Sequence, residues 1–238
     1  MKKTLILLAV SFLICIQLVT AFADQPDTIS FRDINWYTDV GTASTIMRAI
    51  PGVSVPWFGS FEKHAKIESW FKKWEYFYTD DAIDDGGVIL RFSRVPLAGY
   101  SADVEMSFLY TCEDNKVSYN NQTAELYMAI YKIDGYSNLY GIYEELRGKL
   151  KNTYGDYVTK SYYDGGLEGA LWIAKDSSLI WLRIYQNSIS NKYQNIAITY
   201  FAPNGEERFK ALSEQITLEK KDKQKQWQDK NSDNYEGL

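Results

Sequence analysis

The most regular hydrophobic pattern in the chain lies in residues 138–154, where apolar side chains recur at steps of three and four. Such steps place side chains on one face of an α-helix, so the pattern predicts an amphipathic helix. Ser137 or Asn138 can cap its first turn, and Gly155 can end it in the left-handed conformation. The predicted buried face consists of Leu139, Ile142, Tyr143, Leu146, Leu150 and Tyr154.

Short apolar runs between turn residues predict strands on both sides of this helix. Strands joined by short loops pair antiparallel, and helices then cover the apolar side of their sheet. The predicted fold class is therefore α+β, an antiparallel sheet with amphipathic helices packed on one face. The predicted strands are Val88–Phe92, Val104–Thr111, Ala124–Ile133, Gly169–Ala174, Ser178–Gln186 and Tyr193–Phe201.

The order of predicted elements recurs along the chain. Residues 124–149 form a strand, a turn and an amphipathic helix, and residues 194–215 repeat that order with Phe209, Leu212 and Ile216 on the helix. A duplicated ββα-like unit would produce this order, which is also common among α+β folds. Both explanations stay open at the level of the sequence.

The first residues have a pattern typical of export. Lys2 and Lys3 precede the uncharged apolar run Leu5–Ile16, and Ala21-Phe22-Ala23 is an A-x-A cleavage site. We therefore predict a signal peptide over residues 1–23, with an uncleaved N-terminal anchor as the alternative.

The remainder of the chain falls into two regions of different composition, a domain and a polar tail. Residues 24–218 suit one α+β domain, for which a sub-boundary near residue 95 is an alternative. Residues 219–238 are rich in lysine, glutamine and acids, which predicts a polar, charged tail that frays into disorder.

Two elements are predicted near the start of the domain. Ile29–Ile34 is expected to form a short strand. A helix should follow, capped by Thr38 or Asp39 and ending near Ala49, because Pro51 and Gly52 cannot continue it.

Strand alternation predicts where the aromatic residues of the last strands point. If Asp176-Ser177 is a two-residue turn, Trp172 faces Trp181 across the hairpin. The aliphatic residues then share the core face, and both tryptophans lie on the opposite face. The predicted core set is Leu171, Ile173, Ile180, Leu182 and Ile184.

We name the predicted outward residues the aromatic sheet face, which Tyr193 and Asn195 can join. Three explanations are open: the N-terminal segment with its tryptophans packs over it, it binds a protein partner, or its rings stack on sugars. Protein binding is slightly favoured over sugar binding. The aromatic sheet face consists of Trp172, Trp181, Arg183, Tyr185, Tyr127 and Tyr131.

Composition excludes several classes of protein. With 26 Lys and Arg against 31 Asp and Glu, the net charge is −5, which argues against a nucleic-acid binder. One His and two Cys exclude His-built metal clusters, zinc fingers and a disulfide framework. Glycine-rich phosphate loops, G-x-S-x-G and HExxH are absent from the sequence, so neither a cofactor nor a catalytic residue is predicted.

Two polar features remain. Cys112 is the one cysteine downstream of the leader, and in an oxidising compartment it must be buried, which we favour, or pair with another chain. A second feature is a crowded acidic loop, for which we favour a solvated turn over a weak Ca²⁺ site. The loop carboxylates are Asp80, Asp81, Asp84 and Asp85.

The opening ISFRDINWYTDVGTASTIM resembles the F-R-x-I-x-W segment and following helix of a family of uncharacterised secreted α+β proteins from Gram-positive anaerobic bacteria. The segments VPLAGYSADVEMSFLYT and YEGL are similar to the same family. Asn35-Trp36-Tyr37 stands where the family has Pro-Trp-Gly. The resemblance implies a secreted α+β protein and brings no known activity or site residues.

These patterns together predict a non-catalytic binding protein, located outside the cell or in its envelope, that binds an extracellular protein through the aromatic sheet face. One alternative is a carbohydrate- or cell-wall-binding module with a cell-wall glycan as its partner. Another is a secreted hydrolase with paired carboxylates, which would have an Asp or Glu of raised pKa in a cleft.

Overall fold

The structure, a computed structural model, describes residues 25–54, 57–60, 86–161, 168–186 and 192–232. The predicted leader and the acidic loop Asp80–Asp85 lie outside the described residues. The described elements, in chain order, are α1 (Val40–Arg48), β1 (Trp57–Ser60), β2 (Gly87–Leu97), β3 (Tyr100–Leu109), β4 (Thr111–Glu113), β5 (Lys116–Ser118), β6 (Glu125–Asp134), α2 (Leu139–Tyr154), β7 (Val158–Ser161), β8 (Glu168–Ile173), β9 (Leu179–Gln186), β10 (Tyr193–Phe201) and α3 (Gly205–Ser232).

The described strands pair mostly antiparallel and are joined with helices in one chain, which confirms the predicted α+β class. The chain forms two compact units, each made from two stretches of sequence. Of the described residues, the larger unit comprises those within Phe31–Tyr131 and those from Asn204 to Ser232. The smaller unit comprises the described residues up to Ser30 and those within Lys132–Pro203. No helix within the described ranges has the length and apolar character that a membrane span requires.

In the larger unit, the strands lie in the order β1-β2-β3-β6, and β4 and β5 form a separate hairpin. The predicted pairing of the strands around residues 104–111 and 124–133 is confirmed, since β3 and β6 are neighbours. Their polar connection holds the β4–β5 hairpin, whose turn residues Asp114 and Asn115 both have positive φ. Residue 95, the alternative sub-boundary, lies inside β2.

Helix α1 begins where the sequence predicts. Asp39 caps it, because its carboxylate accepts a hydrogen bond of 2.9 Å from the Thr42 N–H. The strand predicted at Ile29–Ile34 is wrong, because Phe31 and Ile34 bridge to each other across a tight turn. Arg32 adopts φ +55° there, so the chain reverses instead of extending.

In the smaller unit, the strands lie in the order β10-β9-β8-β7, and α2 packs against β9 and β10. The predicted cap and end of α2 are confirmed. Asn138 caps the helix by accepting from the Gly141 N–H at 3.1 Å, and Gly155 ends it with φ +80°, although its ψ of −156° is not that of the predicted left-handed helical conformation. The predicted apolar stripe is its buried face except for Tyr154, which is half-buried.

Helix α3 buries Phe209, Leu212 and Ile216, as the pattern predicts. The prediction that the chain frays into disorder after residue 219 is wrong as far as Ser232, because the helix continues to that residue. Lysine and glutamine are good helix formers, so the segment stays helical although residues 220–230 are exposed.

The repeated order of elements extends further than the sequence pattern indicates. The order β2, β3, β6, α2 has its counterpart in β8, β9, β10, α3. However, α2 packs on β9 and β10, while Phe209 of α3 stacks on Tyr127 of β6. Each helix therefore packs on strands of the other repeat, and a duplicated unit stays a prediction.

Candidate functional site

The turn between β8 and β9 decides where the aromatic residues point. The Ala174 N–H donates to the Ser178 carbonyl at 2.8 Å, so the loop has three residues, Lys175, Asp176 and Ser177. Ser177 has φ +71°, the left-handed conformation that closes a three-residue hairpin loop. The predicted two-residue turn is therefore wrong.

The additional loop residue shifts the register of the hairpin by one position. Trp172 pairs with Ile180, and Leu171 pairs with Trp181. Residues paired across a ladder point to the same side, so the two tryptophans lie on opposite faces of the sheet. The predicted Trp172–Trp181 pair is wrong, and Leu171 and Ile173 lie on the side of Trp181.

Trp172 belongs to the core beneath α2. Its ring is buried, and its Nε1–H donates to the Gly155 carbonyl at 3.0 Å. The ring centroid lies 5.0 Å from that of Tyr157. Gly155 ends α2, so this indole fixes the end of the helix against β8, which is a structural role.

Trp181 and Arg183 form a buried cluster on the other face. The Arg183 Cζ lies 3.8 Å from the Trp181 ring centroid, and a guanidinium nitrogen donates to Thr199 Oγ1 at 2.8 Å. Asn195 is also buried, and its Oδ1 accepts no hydrogen bond from the residues that the structure describes. The buried guanidinium of Arg183 has lost its hydration, and its contacts with the Trp181 ring and the Thr199 hydroxyl offset that loss. The cluster therefore fixes the arrangement of β9 and β10.

The remaining members of the aromatic sheet face are also interior or nearly so. Tyr127 is buried and stacks on Phe209 at 6.4 Å between ring centroids. Tyr131 is buried and accepts a hydrogen bond from Arg32 Nε, while Tyr185 is half-buried.

The aromatic sheet face is therefore not an exposed surface. Five of its six side chains are 5% exposed or less, so a binding role for them stays a prediction that burial disfavours. Trp70 and Trp74 lie outside the described residues, so cover by the N-terminal segment also stays a prediction.

An exposed aromatic surface occurs elsewhere in the smaller unit. Tyr140, in the first turn of α2, is 49% exposed, and Tyr193, at the start of β10, is 37% exposed. Their ring centroids are 5.5 Å apart and the ring planes differ by 26°. We name these two residues the tyrosine pair.

Sequence reasoning placed Tyr193 beside the aromatic sheet face and missed Tyr140. The available signal was a large aromatic residue outside the buried stripe of an amphipathic helix, a position that is ordinarily polar.

Behind the tyrosine pair, the aromatic contacts continue into the unit. Tyr143 is buried, and its ring centroid lies 6.3 Å from that of Tyr140. Arg147 Cζ lies 5.6 Å from the ring of Tyr143 and 5.8 Å from that of Tyr157. Burial raises the pKa of Tyr143 to about 12 against the opposing charge of Arg147, so Tyr143 stays neutral at ordinary pH. The tyrosine pair therefore packs against side chains that are held in place by their own contacts.

Two further side chains, a thiol and a carboxyl, could take part in a chemical reaction. Cys112 is exposed, so its predicted burial is wrong, because β4 belongs to a small surface hairpin. Glu105 is buried beside Arg91, whose Nε donates to it at 2.5 Å. Burial raises the pKa of the Glu105 carboxyl, and the Arg91 charge opposes that rise.

Neither a metal cluster nor a relative identifies the protein. Among the residues described, no group of three or more His, Cys, Asp or Glu is placed to hold a metal ion. Comparison with protein families, with curated proteins and with solved structures finds no match to this chain.

Proposed function

We propose that this protein is an exported, non-catalytic binding protein that recognises a protein partner through the tyrosine pair. The observation that carries the proposal is that the rings of Tyr140 and Tyr193 are exposed and stacked on each other. Tyrosine is enriched at the energetic centres of interfaces, because one ring provides a large apolar surface together with a hydroxyl group.

The stacked arrangement favours binding in a second way. A free side chain loses rotamer entropy when a partner fixes it, at about 0.5–1.5 kcal/mol for each immobilised side chain. Tyr140 and Tyr193 already contact each other, and Tyr140 contacts the buried Tyr143, so part of that ordering precedes binding.

Export is supported by the sequence. Lys2 and Lys3, the apolar run Leu5–Ile16 and the A-x-A site fit a secretory leader. A partner of the mature protein would therefore be an extracellular or envelope protein.

The test compares wild type with a Tyr140→Ala/Tyr193→Ala double variant as bait for extracellular proteins of the producing cell. The matched control is Tyr119→Ala, which removes a similarly exposed tyrosine from the larger unit. Captured proteins are identified by mass spectrometry, purified and titrated against each bait. We expect Kd to rise about thirtyfold for the double variant, the effect of a hot spot worth about 2 kcal/mol, and to change little for the control.

Three outcomes would contradict the proposal. One is a double variant that binds the purified partner as tightly as wild type, while circular dichroism shows both to be folded. Another is a control that loses as much affinity as the double variant. The third is a glycan array on which wild type binds sugars through the same two tyrosines, which would make carbohydrate the ligand.

A second candidate function is the secreted hydrolase, for which Glu105 is the candidate acid, since burial raises the pKa of its carboxyl although it is ion-paired with Arg91. A general acid requires such a shift, and a glycosidase needs a second carboxylate about 5–9.5 Å away. A pH–rate profile on cell-wall glycans and peptides tests this candidate. Activity that is lost in Glu105→Gln would support it, and the absence of turnover across the panel would count against it.

A further inference from the structure

Helix α3 extends past the unit on which it packs. Ile216 is buried, and one turn later Glu219 Oε1 accepts a hydrogen bond of 2.7 Å from the Val117 N–H of β5. Beyond Glu219, residues 220–230 are all exposed. We name residues 220–230 the α3 overhang.

The overhang has two chemically different sides. Successive helical residues are rotated by about 100°, which brings one tryptophan and three lysines within an arc of about 80° and leaves both aspartates and the other two lysines outside it. Trp227 is 68% exposed. The first side carries Trp227, Lys220, Lys223 and Lys230, and the rest of the circumference carries Asp222 and Asp229 together with Lys221 and Lys225.

The tryptophan–lysine side lies next to the β4–β5 hairpin of the larger unit. Lys223 Nζ is 5.9 Å from the ring centroid of Tyr119, which follows β5 and is exposed. The hairpin turn exposes Glu113 and Asp114, and Lys116 opposite Glu113 leaves the turn with an excess of negative charge. A cationic surface and an acidic surface are therefore neighbours on the same unit.

We infer that the tryptophan–lysine side of the overhang docks on the β4–β5 hairpin of a second copy of this chain. Charge complementarity supports this occupant, because the tryptophan–lysine side holds three lysines and no acid while the whole chain carries −5. Two overhangs facing each other would bring lysine against lysine. In a twofold dimer, the overhang of each copy contacts the β4–β5 hairpin of the other copy. The two equivalent contacts therefore form together.

Sedimentation velocity of the full chain at several concentrations, with reductant to keep Cys112 reduced, measures the association. A dimer is expected whose Kd rises at least about tenfold from low to high salt, since salt screens these charges. Trp227→Ala and Lys220→Gln/Lys230→Gln should each weaken the dimer about tenfold. The matched control, Lys221→Gln/Lys225→Gln, also removes two charges but from other sides of the helix, and should leave Kd within about twofold.

A charge exchange tests the identity of the partner surface. Glu113→Lys should not self-associate, and neither should Lys220→Glu/Lys230→Glu. A mixture of these two variants should form a heterodimer, because each contact then joins opposite charges.

Four results would overturn the inference. In the first, wild type sediments as a monomer at every concentration and salt. In the second, the control variant raises the dimer Kd as much as Lys220→Gln/Lys230→Gln does. In the third, the mixture of Glu113→Lys with Lys220→Glu/Lys230→Glu stays monomeric. The fourth is binding of the same side to phosphatidylglycerol vesicles without self-association, which would assign the overhang to an anionic membrane surface.

Discussion

Gly169 leaves the space in which Trp181 and Arg183 stack. A Cβ at this position would stand 2.7 Å from Trp181 Nε1 and 3.0 Å from the Leu182 carbonyl oxygen. We expect Gly169→Ala to lower the free energy of unfolding by about 1–3 kcal/mol, because the cluster must shift to admit the methyl group. Urea denaturation measures the change.

The control for this prediction is Gly148→Ala on α2. A Cβ at Gly148 meets nothing within 4 Å, so the substitution should raise the free energy of unfolding by up to about 1 kcal/mol through helix propensity. Equal effects of the two substitutions would show that the space at Gly169 is not the cause.

Cys112 should react at higher pH than an ordinary thiol. Partial burial of the sulfur and the nearby Glu219 carboxylate raise the pKa of the thiol, and Arg208 opposes them. Only the thiolate is alkylated, so the half-maximal rate with iodoacetamide should lie above the ordinary thiol pKa. Glu219→Gln should move that midpoint down. A wild-type midpoint at the ordinary value would contradict the prediction.

At the scale of elements, the β8–β9 turn is held by a distant part of the chain. The N–H groups of Lys175 and Asp176 donate to the carbonyls of Pro26 and Asp27 at 3.0 and 3.2 Å. The Ile29 N–H donates to Ser178 Oγ at 2.7 Å. These contacts favour the three-residue loop over the two-residue turn that its local sequence predicts.

The pKa of Asp176 links this turn to pH. Burial acts to raise that pKa, but hydrogen bonds from Ser178 and from the Thr28 side chain outweigh burial and lower it. The carboxylate therefore contributes stability above its ordinary pKa, and that contribution is lost as the pH falls through the lowered value.

We expect Asp176→Asn to be less stable than wild type at neutral pH and to approach it in acid. Urea denaturation of both proteins from neutral to acidic pH measures the gap. A gap that stays constant with pH would show that Asp176 titrates alike in the folded and unfolded chain.

The elements that local sequence determines were predictable. Helix α2 follows from its stripe, the cap at Asn138 and the stop at Gly155, all within one segment. The register of β8 and β9 was not predictable, because a serine at position 177 takes a left-handed conformation more typical of glycine or asparagine. The exposure of Tyr140 and the burial of Trp181 depend on tertiary neighbours that alternation and periodicity do not specify.

At the scale of the whole molecule, helix α3 is the clearest case in which packing does not follow sequence order. It directly follows β10 of the smaller unit but belongs to the larger one, where Arg208 pairs with Glu125 and lies 4.2 Å over the Tyr37 ring. A division of the chain by sequence order would therefore separate α3 from the strands that it covers.

Loss of α3 packing should loosen the larger unit first. Phe209→Ala removes a buried ring that stacks on Tyr127, so we expect a loss of about 3–5 kcal/mol in the free energy of unfolding. Hydrogen exchange should accelerate in β4, β5 and β6 before β8 and β9. Leu218→Ala, an exposed position on the same helix, should change stability by less than about 0.5 kcal/mol. Faster exchange in β8 and β9 alone would contradict this assignment of α3.

The exposure of Trp227 has an optical consequence. Water reaches its indole, whereas Trp172 and Trp181 are buried. Acrylamide should therefore quench Trp227 emission and spare the emission of these two residues. The chain carries an intrinsic fluorophore at the outer end of α3, and covering that end would shift its emission toward the blue without any attached dye.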